Sequence, residues 1–369
     1  MTIRICVVSS SRADYGILKN LILDLNLSNK FDLKVIVTGS HLSHEHGYTI
    51  KEIISDGIKV DEKVSTIKKT DTSIDIANIF SNTVSKMVIS ISNLKPDLIL
   101  LLGDRYEILA TAISATILKI PIAHIHGGEI TEGATDNAMR HCLTKLSHIH
   151  FVSNQIYKDR IMQMGEAPRH IHNVGALGVE NLKNLKLINF DELQKSLNFR
   201  FLKKNILITY HPVTLDKKPT IGIDCILKVL NKFHDIGLIF TLSNADIEGL
   251  MINKKILEFT NRNSNAISFF SLGQVKYLSC LKHCDLILGN SSSGIIEAPS
   301  FGKVTINVGD RQKGRLKAKS VFDVEINERK IEKILNKILN NDLDINENYF
   351  LNPYYKKNTK KNILKTLYT

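Results

Sequence analysis

Several features that mark special classes of protein are missing from this sequence. Among its 369 residues there is no tryptophan, there are five cysteines, and no run of eighteen uncharged apolar residues occurs. Because a bilayer-spanning helix needs about 20 such residues, a membrane span is excluded. The cysteines are odd in number and scattered, which indicates reduced thiols rather than a disulfide framework. The opening MTIRICVV lacks the cationic lead of a secretory signal, so we expect a cytoplasmic protein.

The features that are present are typical of a globular chain. Hydrophobic residues make up 43% of the sequence and charged residues 23%. This balance excludes a disordered, collagenous or coiled-coil chain. At about 150 residues per domain, the length predicts two domains, each large enough to bury its own core.

The charge is strongly basic but unevenly distributed. Lysine and arginine number 49 against 37 aspartates and glutamates, a net charge of +12. A tail without acidic residues contributes five lysines, Lys356, Lys357, Lys360, Lys361 and Lys365. No other basic stripe with interleaved aromatic residues occurs, which argues against nucleic acid as a partner. Two interpretations remain: a solvated lysine-rich surface, or a basic cleft for an acidic small molecule.

Apolar runs of strand length alternate with longer segments of helical period. Six such runs lie between residues 3 and 174, and five between residues 205 and 307. They are rich in Ile, Val and Leu on both faces, which favours parallel strands buried on both sides. We therefore predict an α/β fold with two doubly wound domains, residues 1–175 and 176–352. The basic last helix, within 353–369, is too short to stand alone and is expected to pack back on the first domain.

Ligands of such sheets bind beyond the carboxyl ends of the strands, so the residues that follow strands are the candidates for a site. GNSSSG, Gly289–Gly294, follows the apolar run CDLIL. Its backbone amides and the hydroxyls of Ser291 and Ser292 suit a phosphate or diphosphate. Glu297 lies one turn further on, within reach of a ribose. The alternative is a serine that only caps a helix after a tight turn.

Two loops of the first half carry arginines after strands. SSSRADYG places Arg12 where a helix opens, as the other half of a diphosphate clamp. The alternative is a capping box in which Ser11 or Asp14 serves the helix only. LGDRYE places Asp104 and Arg105 at the end of an apolar strand, where a charged pair faces a cleft. The alternative for this pair is an Asp104 helix cap beside a surface arginine.

The densest polar segment is AHIHGGEITEGATDNAMRH, residues 123–141. Proton transfer at a carbon centre needs a carboxylate held near an arginine or a second carboxylate. The segment supplies candidates of each kind: His126, Glu129, Glu132, Asp136, Arg140 and His141. The alternative is a helix N-terminus that carries acids because the macrodipole favours them, with Asp136 and Arg140 as a surface ion pair.

The second half adds His211 in YHP and Arg311 in GDRQKGR, again after strands. A guanidinium there suits a diphosphate, whereas a lone histidine after a strand is more often structural. His41, His44 and His46 come close to a metal-ligand spacing. No compact set of carboxylate partners accompanies them, so we expect no metal.

Together these strings resemble the hydrolysing UDP-N-acetylglucosamine 2-epimerases. SRADYG, VTGSHL, LGDRYE, HIHGGEITEGATD, YHP, GNSSSG, INVGDRQKGR and the closing NPY match that family in order along nearly the whole chain. Non-hydrolysing epimerases carry Arg-Pro-Glu where this chain has Arg12-Ala13-Asp14, and Glu-Ala-Gly at His126-Gly127-Gly128. The resemblance implies a GT-B fold, with a cleft between two Rossmann-like domains, and a dimer or tetramer of identical chains.

The resemblance also implies roles for individual residues. The implied catalytic residues are Asp104, His126, Asp136, Arg140 and His211. The residues implied to bind the UDP-sugar are Arg12, His41, Arg105, Glu129, His211, Gly289, Ser291, Ser292, Gly294, Glu297 and Arg311. This chain departs from many relatives in Ser10, where they have glycine, and in Asn137, where they have a second acid. No cofactor is implied.

The implied reaction converts UDP-N-acetylglucosamine and water to N-acetylmannosamine and UDP, for sialic-acid-type sugars. A base removes the proton at C2 while UDP leaves C1, and the resulting glycal takes up water. Asp104 and Asp136 are the expected acid–base pair, and arginines and helix amides stabilise the leaving diphosphate. Three alternatives stay open: UDP-N,N'-diacetylbacillosamine as the substrate, a GT-B glycosyltransferase, and a nucleotide-sugar sensor without catalysis.

Overall fold

The computed structural model describes residues 2–44, 47–66, 72–133, 135–213, 219–243 and 247–369. The chain forms two compact units, each built around its own parallel sheet. The first unit contains Met1–Glu129, Asp136–Lys183 and Tyr354–Thr369, and the second contains Ile130–Thr135 and Asn184–Pro353. The predicted α/β fold with two doubly wound sheets is confirmed.

The strands of the first unit are all parallel to their neighbours. They are β1 (Ile3–Ser9), β2 (Phe31–Thr38), β3 (Glu62–Val64), β4 (Leu98–Leu102), β5 (Ile122–Ile125), β6 (Ile149–Val152) and β7 (Ile171–Asn173). Their order in the sheet is β3-β2-β1-β4-β5-β6-β7. The chain order therefore reverses between β1 and β4, and at such a point a doubly wound sheet leaves room for a ligand at the strand ends.

Both faces of this sheet are buried under helices, as its apolar composition predicts. The helices are α1 (Arg12–Leu27), α2 (Ile50–Ser55), α3 (Ser73–Leu94), α4 (Tyr106–Ile117), α5 (Thr135–Leu146), α6 (Gln155–Gln163) and α7 (Leu177–Asn181). Alternate residues of β1 enter different cores: Ile5 lies in the cluster with α1, whereas Cys6 lies in the cluster with Met87 of α3 and Ile108 of α4.

The second unit repeats this plan. Its strands are β8 (Lys204–Thr209), β9 (Ile236–Thr241), β10 (Ala266–Phe269), β11 (Leu286–Gly289), β12 (Val304–Val308) and β13 (Val321–Val324), in the order β10-β9-β8-β11-β12-β13. Its helices are α8 (Phe190–Leu197), α9 (Ile221–Leu230), α10 (Ile247–Arg262), α11 (Gly273–His283), α12 (Ser293–Ile296) and α13 (Glu328–Leu339). The order reverses between β8 and β11, the strands that end at YHP and GNSSSG.

The C-terminal helix α14 (Thr359–Tyr368) belongs to the first unit. Its buried residues Ile363 and Leu367 join the core cluster that contains Leu177 of α7. The Thr359 hydroxyl donates to the carbonyl of Val174 over 2.6 Å. The helix is thus held by apolar packing and by hydrogen bonds from its first turn.

Candidate active site

The loop after β4 turns sharply and brings Asp104 beside α5. Gly103 has φ +85°, a conformation that favours glycine. The Asp104 carboxylate accepts a hydrogen bond from the Arg140 guanidinium. Arg140 is buried; burial alone would lower its pKa, but the charges of Asp104 and Glu129 raise it. Arg140 therefore stays charged inside the protein.

The loop after β5 brings a second carboxylate to the same guanidinium. Glu129 Oε2 lies 3.9 Å from Arg140 Nη1, and Glu129 Oε1 lies 3.2 Å from Nδ1 of His126. The Ser153 hydroxyl donates to Glu129 Oε1 over 3.2 Å. His126 has φ +68°, which is uncommon for a residue with a side chain and marks a strained turn. Residues from LGDRYE and HIHGGE thus form one cluster around Arg140.

Asp136 lies in the first turn of α5, one turn before Arg140. It is half-buried, and its charge adds to those that raise the pKa of Arg140. The alternative of a surface ion pair between the two is wrong, because Arg140 is only 5% exposed. The carboxylates of Asp104, Glu129 and Asp136 therefore all interact electrostatically with the buried Arg140 guanidinium.

A further group of charged residues lies at the starts of α1 and α4. Ser11 caps α1, so the cap alternative for SSSRADYG holds for this serine, and Arg12 is the first helical residue. Arg105 precedes α4 and donates through Nη2 and Nε to the buried carboxylate of Glu107, over 3.1 and 3.2 Å. The Asp104 cap alternative is wrong, because Arg105 occupies the position before the helix. Glu107 raises the pKa of Arg105 and holds its guanidinium in place.

His41 lies beside these loops and is fully buried. Its Nε2 is 2.9 Å from the Ser9 hydroxyl oxygen, and its Nδ1 is 2.8 Å from that of Thr49. Burial, with the charges of Arg12 and Arg105, lowers the pKa of His41 to about 4. The ring is therefore neutral at pH 7 and supports the loop that carries Arg12. Contact between His41 and substrate stays a prediction.

Asn290, within GNSSSG, connects three loops of the second unit. Its side-chain oxygen accepts from the His211 N–H over 2.7 Å, and its amide donates to the His211 carbonyl over 2.8 Å. Its main-chain carbonyl accepts from Arg311 Nη1 over 3.2 Å and from Gln312 Nε2 over 2.8 Å. The loops after β8, β11 and β12 are thereby fixed to one another.

This arrangement sets the charge state of His211. Its Nδ1 lies 3.1 Å from the Ser243 hydroxyl oxygen. Burial, followed by the charge of Arg311, lowers the pKa of His211 to about 3. A neutral imidazole can hydrogen-bond a phosphate oxygen but adds no positive charge, so Arg311 is the cation of this cluster.

The two glycines of GNSSSG allow close packing. Gly289 has φ +137°, and a Cβ there would lie 2.0 Å from the Thr209 carbonyl oxygen. At Gly294 a Cβ would lie 2.7 Å from Cγ2 of Thr305. The helix that follows, α12, is only one turn long. Ser291, Ser292 and Glu297 are half-exposed around this turn.

Beside Arg311 the second unit has a cavity of about 290 Å³. Tyr210 and Val213 line it together with the carboxylates of Glu132, Asp310 and Glu325.

Sequence reasoning did not single out the residues that hold the charged groups in place. Glu107 was part of a motif, but nothing in the sequence shows that its carboxylate is buried against Arg105. Asn290 lies within GNSSSG, where the serines, and not the asparagine, are the predicted phosphate ligands.

Metal-ligating clusters and membrane-spanning helices are two features that the described ranges lack. No group of three or more His, Cys, Asp or Glu side chains placed to hold a metal occurs there. His46 lies outside the described residues. No helix in the same ranges is long and apolar enough to cross a membrane.

Comparison with known proteins gives a consistent result. The family model for UDP-N-acetylglucosamine 2-epimerase matches residues 24–368. A Campylobacter jejuni protein, GDP/UDP-N,N'-diacetylbacillosamine 2-epimerase (hydrolyzing), is 41% identical over 88% of this chain and 85% of its own length. Polysialic acid biosynthesis protein P7 of Escherichia coli is 35% identical over 99% of this chain and 93% of its own.

A solved structure supports the fold. The crystal structure of UDP-GlcNAc 2-epimerase from Neisseria meningitidis, bound to UDP-GlcNAc, matches with a TM-score of 0.83 over 99% of both chains. At 21% sequence identity, this likeness shows the fold alone.

Proposed function

Because the chain belongs to the UDP-N-acetylglucosamine 2-epimerase family, we propose that it is a hydrolysing 2-epimerase of a UDP-linked 2-acetamido sugar. The products are UDP and the free sugar with inverted configuration at C2. The observation that carries this proposal is the buried Asp104–Arg140–Glu129 cluster at the ends of β4 and β5. A protein that only binds an anionic ligand has little use for carboxylates gathered in this way.

The reaction has two steps. In the first, a carboxylate takes the proton from C2, the C1–O bond to UDP breaks with its electron pair, and a C1=C2 double bond forms. In the second, water adds its hydroxyl to C1 while a proton reaches C2 from the opposite face. We assign the proton transfers to Asp104 and Asp136, which differ in surroundings: Asp104 is held by Arg140, whereas Asp136 lies at the start of α5.

Departure of UDP requires stabilisation of the charge that develops on the diphosphate. Arg311 and the half-exposed Ser291 and Ser292 supply a guanidinium and hydroxyls in the second unit. His211 is neutral there and serves as a hydrogen-bonding group rather than as a cation. Arg12 and Arg105 are assigned to the same leaving group, and Glu297 to the ribose.

Two substrates fit this chemistry, UDP-N-acetylglucosamine and UDP-N,N'-diacetylbacillosamine. The Campylobacter jejuni relative is named for N,N'-diacetylbacillosamine, and the Escherichia coli relative for polysialic acid biosynthesis. The substrates differ at carbons four and six of the sugar, away from the C1 and C2 atoms that react.

The test is turnover of the two UDP-sugars side by side, with free UDP and the released sugar both measured. We expect UDP and the 2-epimer in equal amounts from at least one of them, without an acceptor. Release of UDP only when an acceptor is added would support a glycosyltransferase. Binding of both sugars without release would support a sensor.

A further inference from the structure

His124 of β5 is a buried histidine that the mechanism above does not use. Its side chain is 0% exposed, and it holds the main chain of a neighbouring turn instead of facing an open surface. In the parallel pairing of β4 and β5 it lies opposite Leu101, two residues before Gly103. Its ring therefore lies beneath the point where the chain leaves the sheet toward Asp104.

The ring makes one defined hydrogen bond to that turn. His124 Nε2 lies 2.8 Å from the carbonyl oxygen of Gly103. A carbonyl oxygen only accepts, so Nε2 must carry the hydrogen. The N–H of Gly103 donates to the carbonyl of Ile125 over 3.2 Å. Both polar groups of Gly103 are thus held by β5, one by its main chain and one by the His124 side chain.

The other side of the ring faces Gly127, in the loop that carries His126 and Glu129. A Cβ at Gly127 would lie 3.1 Å from His124 Nδ1 and 3.1 Å from the hydroxyl oxygen of Thr144. Thr144 in turn donates to the main-chain carbonyl of Arg140 over 3.0 Å. The buried ring therefore hydrogen-bonds the segment that carries Asp104 and lies beside the segments that carry Glu129 and Arg140.

We propose that His124 is a positioning residue for the reaction: its Nε2–H holds the Gly103 carbonyl and thereby fixes the Asp104 carboxylate against Arg140. This inference depends on the proposed function for its kinetic consequences but not for its structural ones. Burial, followed by the charges of His150 and Arg140, lowers the pKa of His124 to about 4. The ring is therefore neutral at pH 7, and its hydrogen lies on Nε2 because the Gly103 carbonyl can only accept.

Two amide substitutions separate the hydrogen bond from the imidazole. The amide nitrogen of His124→Gln reaches the place of Nε2, whereas that of His124→Asn reaches only the place of Nδ1. We expect the Gln variant to keep kcat within about fivefold and the Asn variant to lose about 10- to 100-fold, because misplacement by about 1 Å of a catalytic group can cost that much. KM should change less than kcat in both.

The control is His150→Gln. His150 is the buried neighbour of His124 across β5 and β6, and its Nε2 lies 3.4 Å from Glu166 instead of near the Asp104 turn. This control should keep kcat. Equal losses in the Gln and Asn variants of His124, or full activity in both, would overturn the proposal.

If neither UDP-sugar is turned over, the proposed function fails but the positioning role does not. Crystal structures of the wild type and of the His124→Asn variant then test the positioning role by itself. We expect the Gly103–Asp104 turn to shift and the Asp104–Arg140 hydrogen bond to be broken in the variant. An unchanged Asp104–Arg140 contact there would contradict the positioning role.

Discussion

Arg140 is the residue on which the first-unit cluster depends. A buried guanidinium is strongly disfavoured unless carboxylates compensate it, and here Asp104 and Glu129 do so. The converse also holds, because Glu129 is 3% exposed and would carry a buried charge without Arg140. Arg140, Asp104 and Glu129 therefore depend on one another, with the guanidinium and Glu129 both shielded from water.

The acid–base assignment predicts the effect of Asp136→Asn. The substitution keeps size and polarity but removes the proton-accepting charge, so turnover should fall at least about 100-fold while UDP binding stays the same. Steady-state kinetics and UDP calorimetry measure the two effects. Asp159→Asn, at an exposed acid of α6, is the control and should keep full turnover. An Asp136→Asn enzyme with wild-type turnover would remove Asp136 from the mechanism.

The burial of His41 predicts a pH dependence of stability. The unfolded ring takes up a proton as pH falls through about 6.5, whereas the folded ring does so only near its lowered pKa of about 4. The unfolded state binds more protons in this window, so the free energy of unfolding falls as pH falls. His41→Gln should flatten this dependence by about 1.4 kcal/mol per pH unit. Urea unfolding between pH 4.5 and 6.5 measures the slope, and an unchanged slope would contradict the buried neutral ring.

At the scale of elements, the turn after β11 depends on a glycine. Gly289→Ala adds a methyl group that meets the Thr209 backbone, and it should lower the free energy of unfolding by about 2–5 kcal/mol. Gly302→Ala is the matched control, since Gly302 also has a positive φ but no atom within 4 Å of its Cβ position. It should cost only about 1–2 kcal/mol. Equal effects in chemical denaturation would show that the close contact does not matter.

The same turn carries Ser291 and Ser292, so Gly289→Ala should also weaken UDP binding. The control at Gly302 should not. Calorimetric titration of both variants with UDP distinguishes a local distortion of the loop from a general loss of stability.

Most of the sheet could be predicted from sequence, because strands buried on both faces are continuous runs of Val, Ile and Leu. The helix α3 was not predicted, although it has 22 residues. It begins with Ser-Ile-Asp-Ile and contains Ile-Ser-Ile-Ser near its end, and this alternation is typical of a strand. Its buried positions also include the polar residues Thr83 and Ser90. The edge strands β3 and β13 were missed because they are short and half-exposed.

The candidate site was predictable only in part, for a different reason. Asp104, Arg140 and Arg311 could be selected from the sequence because they lie in segments that follow strands. Such segments lie at the carboxyl ends of the strands, where ligands bind. Asn290 and His124 act through contacts between distant segments, and Glu107 holds the nearby Arg105 through a carboxylate that only the folded chain buries. Residue type and spacing contain no information about those contacts.

At the scale of the whole molecule, the C-terminal helix completes the first unit. Ile363 is fully buried in the core, so Ile363→Ala should destabilise the protein by about 2–5 kcal/mol. Lys361→Ala on the exposed side of the same helix should change stability by less than about 0.5 kcal/mol. Thermal and urea unfolding test both variants. If Ile363→Ala were as stable as the wild type, α14 would not be part of the core.

The most direct test of the account follows the hydrogen at C2 of the sugar. The enzyme is incubated in deuterated water with UDP-N-acetylglucosamine and, separately, with UDP-N,N'-diacetylbacillosamine, and the released sugar is examined by mass spectrometry and NMR. We predict that the free 2-epimer carries one deuterium at C2 and forms together with UDP. Released sugar that keeps its original hydrogen and configuration at C2 would contradict the account.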